Sequence, residues 1–199
     1  MSVIPIRDRK AERRAGTRSE ILAAAWEIAR EDGLAEVSLR AIGARVGMRA
    51  QSLYSYFDSK HAIYDAMFGE GNEELLARME AADAAGGTPE QAFRRGTHVF
   101  VDFAVEDSTR SQLLFVRTLP GFVPSAEAYA PAVRTLDLTT AGLERLGVTD
   151  PALVDIWTAL LSGLIQQQFA NDPGGDRWTR HVDEVIDMFL AHAKRRKSR

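Results

Sequence analysis

Between Ser38 and Phe57 the chain interrupts itself twice, and neither of the resulting pieces is long enough to stand alone. Ser38 offers a side-chain oxygen to the first free N–H groups of a short helix over 39–45, Ile42 and Val46 share one face, and Gly47 breaks the run. A second short helix is predicted over 49–57, with Leu53 and Phe57 four residues apart on its inner side. Isolated helices below about 12 residues are marginal in water, so both must pack on a longer neighbour. The preceding segment supplies one: Ile21, Leu22, Ala25, Ile28 and Ala29 repeat at helical spacing, and Gly33 closes the run. Two short helices about a glycine turn, backed by a longer one, make a compact unit of helix-turn-helix type.

Helix punctuation continues along the chain, and no alternating β-run competes with it. A capping box at Thr17-Arg18-Ser19-Glu20 predicts the start of the first helix, leaving residues 1–16 as a basic flexible arm. Asp58-Ser59 caps a fourth helix running to about Ala85, with Gly69 and Gly71 as bend points. Thr88-Pro89-Glu90-Gln91 opens a fifth, to about Glu106; a sixth spans about 109–118 and stops before Pro120. Ser125 opens a seventh that Pro131 is expected to kink or split before Gly147 ends it. Asp150-Pro151 starts an eighth, to about Asn171, and Pro173-Gly174-Gly175 turns the chain into a ninth over about 176–195. The expected class is all-α with about nine helices: an arm over 1–16, a helix-turn-helix domain over 17–62, and a larger helical domain over 63–199.

Charge divides the chain in a corresponding way. Residues 1–60 hold 11 Lys and Arg against 8 Asp and Glu, whereas residues 61–193 hold 9 against 20. A basic head on an acidic body points to an N-terminal segment that faces a polyanion. The chain has no cysteine, which excludes disulfides and thiolate metal sites and fits a reducing compartment. Its longest uncharged stretch, Ile156 to Asn171, is interrupted by Gln166-Gln167-Gln168 and is too short for a membrane span. A cytoplasmic protein without a membrane partner is expected.

The outward face of the second short helix is rich in groups that bond bases or phosphates and almost free of acid, unlike an ordinary solvated helix. In a unit of this type that helix enters the major groove. The stretch SLRAIGARVGMRAQSLYSYFDSKHAI, Ser38 to Ile63, closely resembles the DNA-binding signature of the TetR family of bacterial regulators, with Ala44, Gly47, Leu53-Tyr54, Tyr56-Phe57 and Ser59-Lys60 at the expected places. The resemblance implies a DNA-binding head, a C-terminal ligand-binding and dimerisation domain, and release from DNA when a small molecule binds. By position it makes Arg40, Ala50, Gln51, Ser52, Tyr54, Ser55, Tyr56 and Lys60 DNA-facing. Arg49 departs from the family pattern, since it stands where a side-chain cap is usual and cannot accept from the helix N–H groups. A phosphate or a guanine would compensate. Gln51 also departs, and its carboxamide suits adenine.

In the larger domain most aromatics are expected to be core, yet polar residues interrupt otherwise apolar helices. Such a mixture suits an apolar cavity with a few polar groups, and His98, Phe100, Phe103, Phe115, Arg117, Trp157 and Gln167 are its candidates. His98 with Asp102 and His181 with Glu184 have metal-ligand spacing, but two ligands do not complete a site, and surface histidines are the expected outcome. Glycine-rich phosphate loops and nucleophile elbows are absent, so an enzyme is not expected, and neither is a cofactor. The last two helices carry more apolar surface than one hairpin hides, which predicts a homodimer through Leu161, Leu164, Val185 and Phe189. The expected function is a repressor that leaves an inverted-repeat operator in double-stranded DNA when a largely hydrophobic effector binds. The alternatives are a DNA binder of the same fold that activates or takes no ligand, and a helical small-molecule-binding or scaffold protein.

Overall fold

The computed structural model describes residues 9–197, which form nine α-helices and two single 3-10 turns, with no strand among them. The helices are α1 Arg9–Asp32, α2 Leu39–Val46, α3 Ala50–Leu53, α4 Lys60–Ala84, α5 Pro89–Glu106, α6 Ser108–Phe115, α7 Ala126–Arg145, α8 Pro151–Asn171 and α9 Val182–Lys197. Most starts follow from local chemistry. Ser38, Ser59 and Ser125 each accept the N–H three residues on, and Thr88 and Gln91 form a reciprocal capping box ahead of Pro89. Asp107 and Asp150 cap α6 and α8.

Several boundaries differ from the sequence expectation. Helix α1 begins by Arg9, so Thr17 lies inside it and the capping box is unused; residues 9–16 are helical and not a flexible arm, while 1–8 lie outside the described residues. Lysine, arginine, glutamate and alanine are good helix formers, and further anchoring comes from α1 arginines described below. Helix α3 ends at Leu53, with Tyr54 to Tyr56 in a turn. Pro131 sits within an unbroken α7, in its second turn. The ninth helix starts at Val182, after a 3-10 turn over Thr179–His181. Gly69 and Gly71 are sites of close approach: a Cβ at Gly69 would meet Ala128 at 3.5 Å, and one at Gly71 would meet Leu114 at 3.1 Å.

Two cores share α4. The first gathers Ile21, Ala25, Ile42, Leu53, Phe57, Ile63 and Met67, and also takes Leu113 of α6 and Ala128 of α7. The head is therefore packed into the body. Its attachment is reinforced by the Trp26 indole N–H, which donates to Glu70 at 2.8 Å, and by Arg30, which bonds Asp107 at 2.8 Å. The second core joins α5, α7, α8 and α9 around Trp157, whose ring lies 5.1 Å from Phe93 and 4.9 Å from Phe189. Leu75, Met79 and Phe103 form a small third cluster between them.

Candidate functional site

The first site is the α2–turn–α3 surface. Gly47, at φ +69°, takes the left-handed conformation that ends α2 and turns the chain. The return is tight enough that a Cβ on Gly43 would stand 2.6 Å from the Met48 carbonyl oxygen. Gly43 thus sets the approach of the turn to α2, a role missing from the sequence reading, where only a small residue four positions before Gly47 hinted at it. Leu53 and Phe57 are buried in the first core, as their spacing predicts.

Arg49 occupies the N-cap of α3 and provides no side-chain cap, so the first N–H groups of the helix receive no side-chain acceptor from it. Arg40, Arg49, Gln51, Ser52, Tyr54 and Ser55 are exposed on this side, while Ala50, Tyr56 and Lys60 are half-buried. Among the described residues neither Arg40 nor Arg49 forms an ion pair, so both cations remain available at the surface. Arg45 differs: it bonds Glu27 at 3.3 Å and Glu31, whose carboxyl it holds below the usual carboxylate range. Lys60 donates to the Ala35 carbonyl at 2.6 Å, which leaves two of its three ammonium protons for another partner.

The α1 arginines brace the far end of α3. Arg14 donates to the Ser55 carbonyl and lies over the Tyr56 ring, 5.2 Å from its centroid. Arg18 donates to the Tyr56 carbonyl at 2.9 Å and covers the Phe57 ring at 4.1 Å. These contacts span about forty residues of sequence, and no local pattern announces them.

The second site is a cavity of about 490 Å³ enclosed by α4, α5, α6, α7 and α8. Phe100, Phe115 and Trp157 line it, as do Phe93 and Tyr129. The other four candidates do not. His98 projects outward and bonds Asp183 of α9 at 3.2 Å, pulling that carboxyl below its usual range. Phe103 is fully buried beneath the Arg110 guanidinium, 3.7 Å from its ring centroid. Arg117 is exposed beyond the end of α6. Gln167 points away and accepts from Asn171 at 2.7 Å.

Successive helix residues are about 100° apart, so the glutamine triplet divides. Gln166 faces the cavity, and buried Gln168 accepts the Trp178 N–H at 2.9 Å to hold the α8–α9 connection. Asn72, Thr97 and Thr135, buried polar residues of the cavity wall, escaped sequence reading. For Asn72 the signal was its place in the apolar series Phe68, Leu75, Leu76, Met79 on α4.

The third set of candidates also separates. Leu161 and Phe189 are 6% and 2% exposed within a single chain, so they belong to the second core and not to a contact surface. Leu164 and Val185 are half-buried, and the exposed apolar residues of α8 and α9 are Ile156, Leu160 and Met188. Among the described residues no three His, Asp or Glu side chains converge as a metal site, and no helix is long and apolar enough to cross a membrane.

Residues 21–67 match the model of the tetR family of bacterial regulatory proteins. The HTH-type transcriptional repressor KstR of Mycolicibacterium smegmatis is 36% identical over 74 residues, which cover 37% of this chain and 36% of the repressor. The chain spans between about a third and a half of the length of the curated relatives it matches. Among solved structures, FadR of Bacillus subtilis, determined with stearoyl-CoA, superposes with a TM-score of 0.71 at 14% identity, covering 86% of this chain and 97% of that one. The TetR-family regulator PfmR of Thermus thermophilus gives 0.66 at 19% identity, with 86% and 97% covered. These two likenesses concern the fold.

Proposed function

We propose that the chain, whose residues 21–67 match the tetR family model, is a dimeric repressor of that family whose grip on an inverted-repeat operator is released by a small, largely hydrophobic effector. The observation that carries the reading is the acid-free outer face of α3, with Arg49 at an uncapped helix start. Arg49 and Gln51 would read base edges, and Arg40 and Lys60 would meet phosphates on either side. Ala50, Ser52, Tyr54, Ser55 and Tyr56 complete the surface that would enter the major groove.

Dimerisation through α8 and α9 would cover Ile156, Leu160 and Met188, with Leu164 and Val185 at its edge. A two-fold contact there would aim two α3 helices at half-sites about one helical turn apart. The cavity would be the effector site. Its wall is connected to the head through α4, since Phe68 and Leu75 line the cavity while Ile63 and Tyr64 of the same helix are packed into the DNA-binding unit. An effector that favours one position of α4 would shift the population of DNA-competent dimers by its differential affinity. Selecting bound fragments from random DNA tests the proposal: an enriched inverted repeat supports it, and retention without sequence enrichment would contradict operator recognition.

A further inference from the structure

The polar groups of the cavity are distributed unevenly, and we propose that it takes a neutral, hydroxyl-bearing lipophile in preference to an anion. The inference rests on reading the cavity as the effector site. Thr97 and Thr135, 4% and 7% exposed, each donate their one hydroxyl proton to a helix carbonyl four residues back, at 2.9 Å to Phe93 and 3.0 Å to Pro131. Thr139 and Thr158 do the same toward Thr135 and Val154. With the proton committed, each oxygen faces a ligand only as an acceptor.

Asn72, 2% exposed, donates one amide proton to the Phe68 carbonyl at 2.9 Å and keeps its carboxamide oxygen and a second N–H. The remaining donors stand at the rim: Tyr129, Ser162, Gln166 and Arg145 are all exposed. Arg145 is the one cation among the described lining residues, and it is paired with Asp83 at 2.5 Å. The buried wall therefore offers several acceptors, two N–H donors, one from Asn72 and one from the Trp157 indole, and no free positive charge.

A carboxylate or phosphate moved into such a wall would lose its water and find at most two neutral donors and no cation, which is strongly unfavourable. A hydroxyl suits the same groups. It gives its proton to Thr97, Thr135 or the Asn72 oxygen, and it can accept the second Asn72 N–H. The aromatic walls of Phe93, Phe100, Phe115 and Trp157 take the apolar body, and about 490 Å³ is within the range of sites for drug-sized molecules.

The test is equilibrium dialysis of the full chain, near pH 8, against three probes of one length: para-octylphenol, para-octylanisole and para-octylbenzoate. At this pH the phenol is neutral and the benzoate charged. The phenol is expected to bind about tenfold tighter than the ether, one neutral hydrogen bond's effect, and at least about a hundredfold tighter than the anion. Thr97→Val should lower phenol affinity several-fold and leave the anisole unchanged; if that variant does not fold, Thr135→Val is measured in its place. Benzoate binding as tightly as the phenol, or anisole matching the phenol, would overturn the proposal and leave the effector site standing. Binding of none of the three would overturn both. Tight phenol binding that leaves DNA affinity unaltered would support the ligand chemistry and contradict the effector role.

Discussion

The Tyr64 hydroxyl donates to the Leu34 carbonyl oxygen across 2.5 Å, tying the first turns of α4 to the 3-10 turn that precedes α2. The ring of Tyr64 meets Phe122 edge-on at 5.7 Å, Phe122 meets Phe68 at 6.3 Å, and Phe68 stacks on Tyr129 at 6.0 Å. Phe68 and Tyr129 line the cavity. A contiguous set of aromatic contacts thus runs from the cavity wall to the backbone that positions α2.

Tyr64→Phe keeps the ring and removes the bond, leaving the Leu34 carbonyl with only the longer Val37 N–H contact at 3.3 Å. We predict a loss of about 1–2 kcal/mol in unfolding free energy by urea titration. Operator affinity should fall while effector affinity in the absence of DNA stays within about twofold. Unchanged operator affinity would show that the bond does not position the reading head.

Gly43→Ala should be disproportionately damaging, because the added methyl meets backbone: the Met48 carbonyl oxygen at 2.6 Å and the Ala50 nitrogen at 3.4 Å. The turn must move, at a cost of about 1–3 kcal/mol, and specific DNA binding should be lost with it. Gly16→Ala is the matched control on α1, where an added Cβ meets nothing within 4 Å. It should stabilise by up to about 1 kcal/mol in thermal melts. Equal effects of the two substitutions would contradict the account of the turn.

Phosphate and base contacts separate by salt. Arg40→Ala and Lys60→Ala should weaken binding similarly on operator and random DNA, each lowering the slope of log affinity against log salt by about one. Gln51→Ala should instead relax preference at one base pair, at about 1–3 kcal/mol of discrimination. A Gln51→Ala protein with unaltered preference in a binding selection would remove that residue from the reading set.

Assembly divides two neighbouring leucines on α8. Leu160 is 37% exposed and Leu161 6% exposed. Leu160→Arg should yield a folded monomer by light scattering, with operator binding lost, whereas Leu161→Arg should unfold the body. A folded Leu160→Arg dimer would move the interface elsewhere.

What the sequence made legible was local. The caps at Ser38, Ser59, Thr88 and Ser125 act over three residues, and Gly47 carries its own conformational requirement. What escaped was tertiary. The box at Thr17 satisfied every local criterion and went unused because α1 continues toward its N-terminus, with Arg14 and Arg18 anchored on the end of α3. Phe100 and Phe103 are indistinguishable as apolar helix residues, yet one faces the cavity and the other lies beneath Arg110. Leu161 and Phe189 looked like surplus apolar surface because the second core that buries them also draws on residues outside the hairpin, Phe93 and Val101 of α5 and Leu143 of α7.

Under the proposed function this chain reads a two-fold DNA sequence through the face containing Arg49 and Gln51. Sequencing fragments retained from a random DNA pool, at two salt concentrations and with Arg49→Ala in parallel, tests it most directly. The expected result is one inverted repeat with half-sites about one helical turn apart, enriched more strongly at the higher salt and altered by Arg49→Ala at symmetric positions in both halves. Salt-sensitive retention without an enriched motif, or a motif indifferent to Arg49, would contradict it.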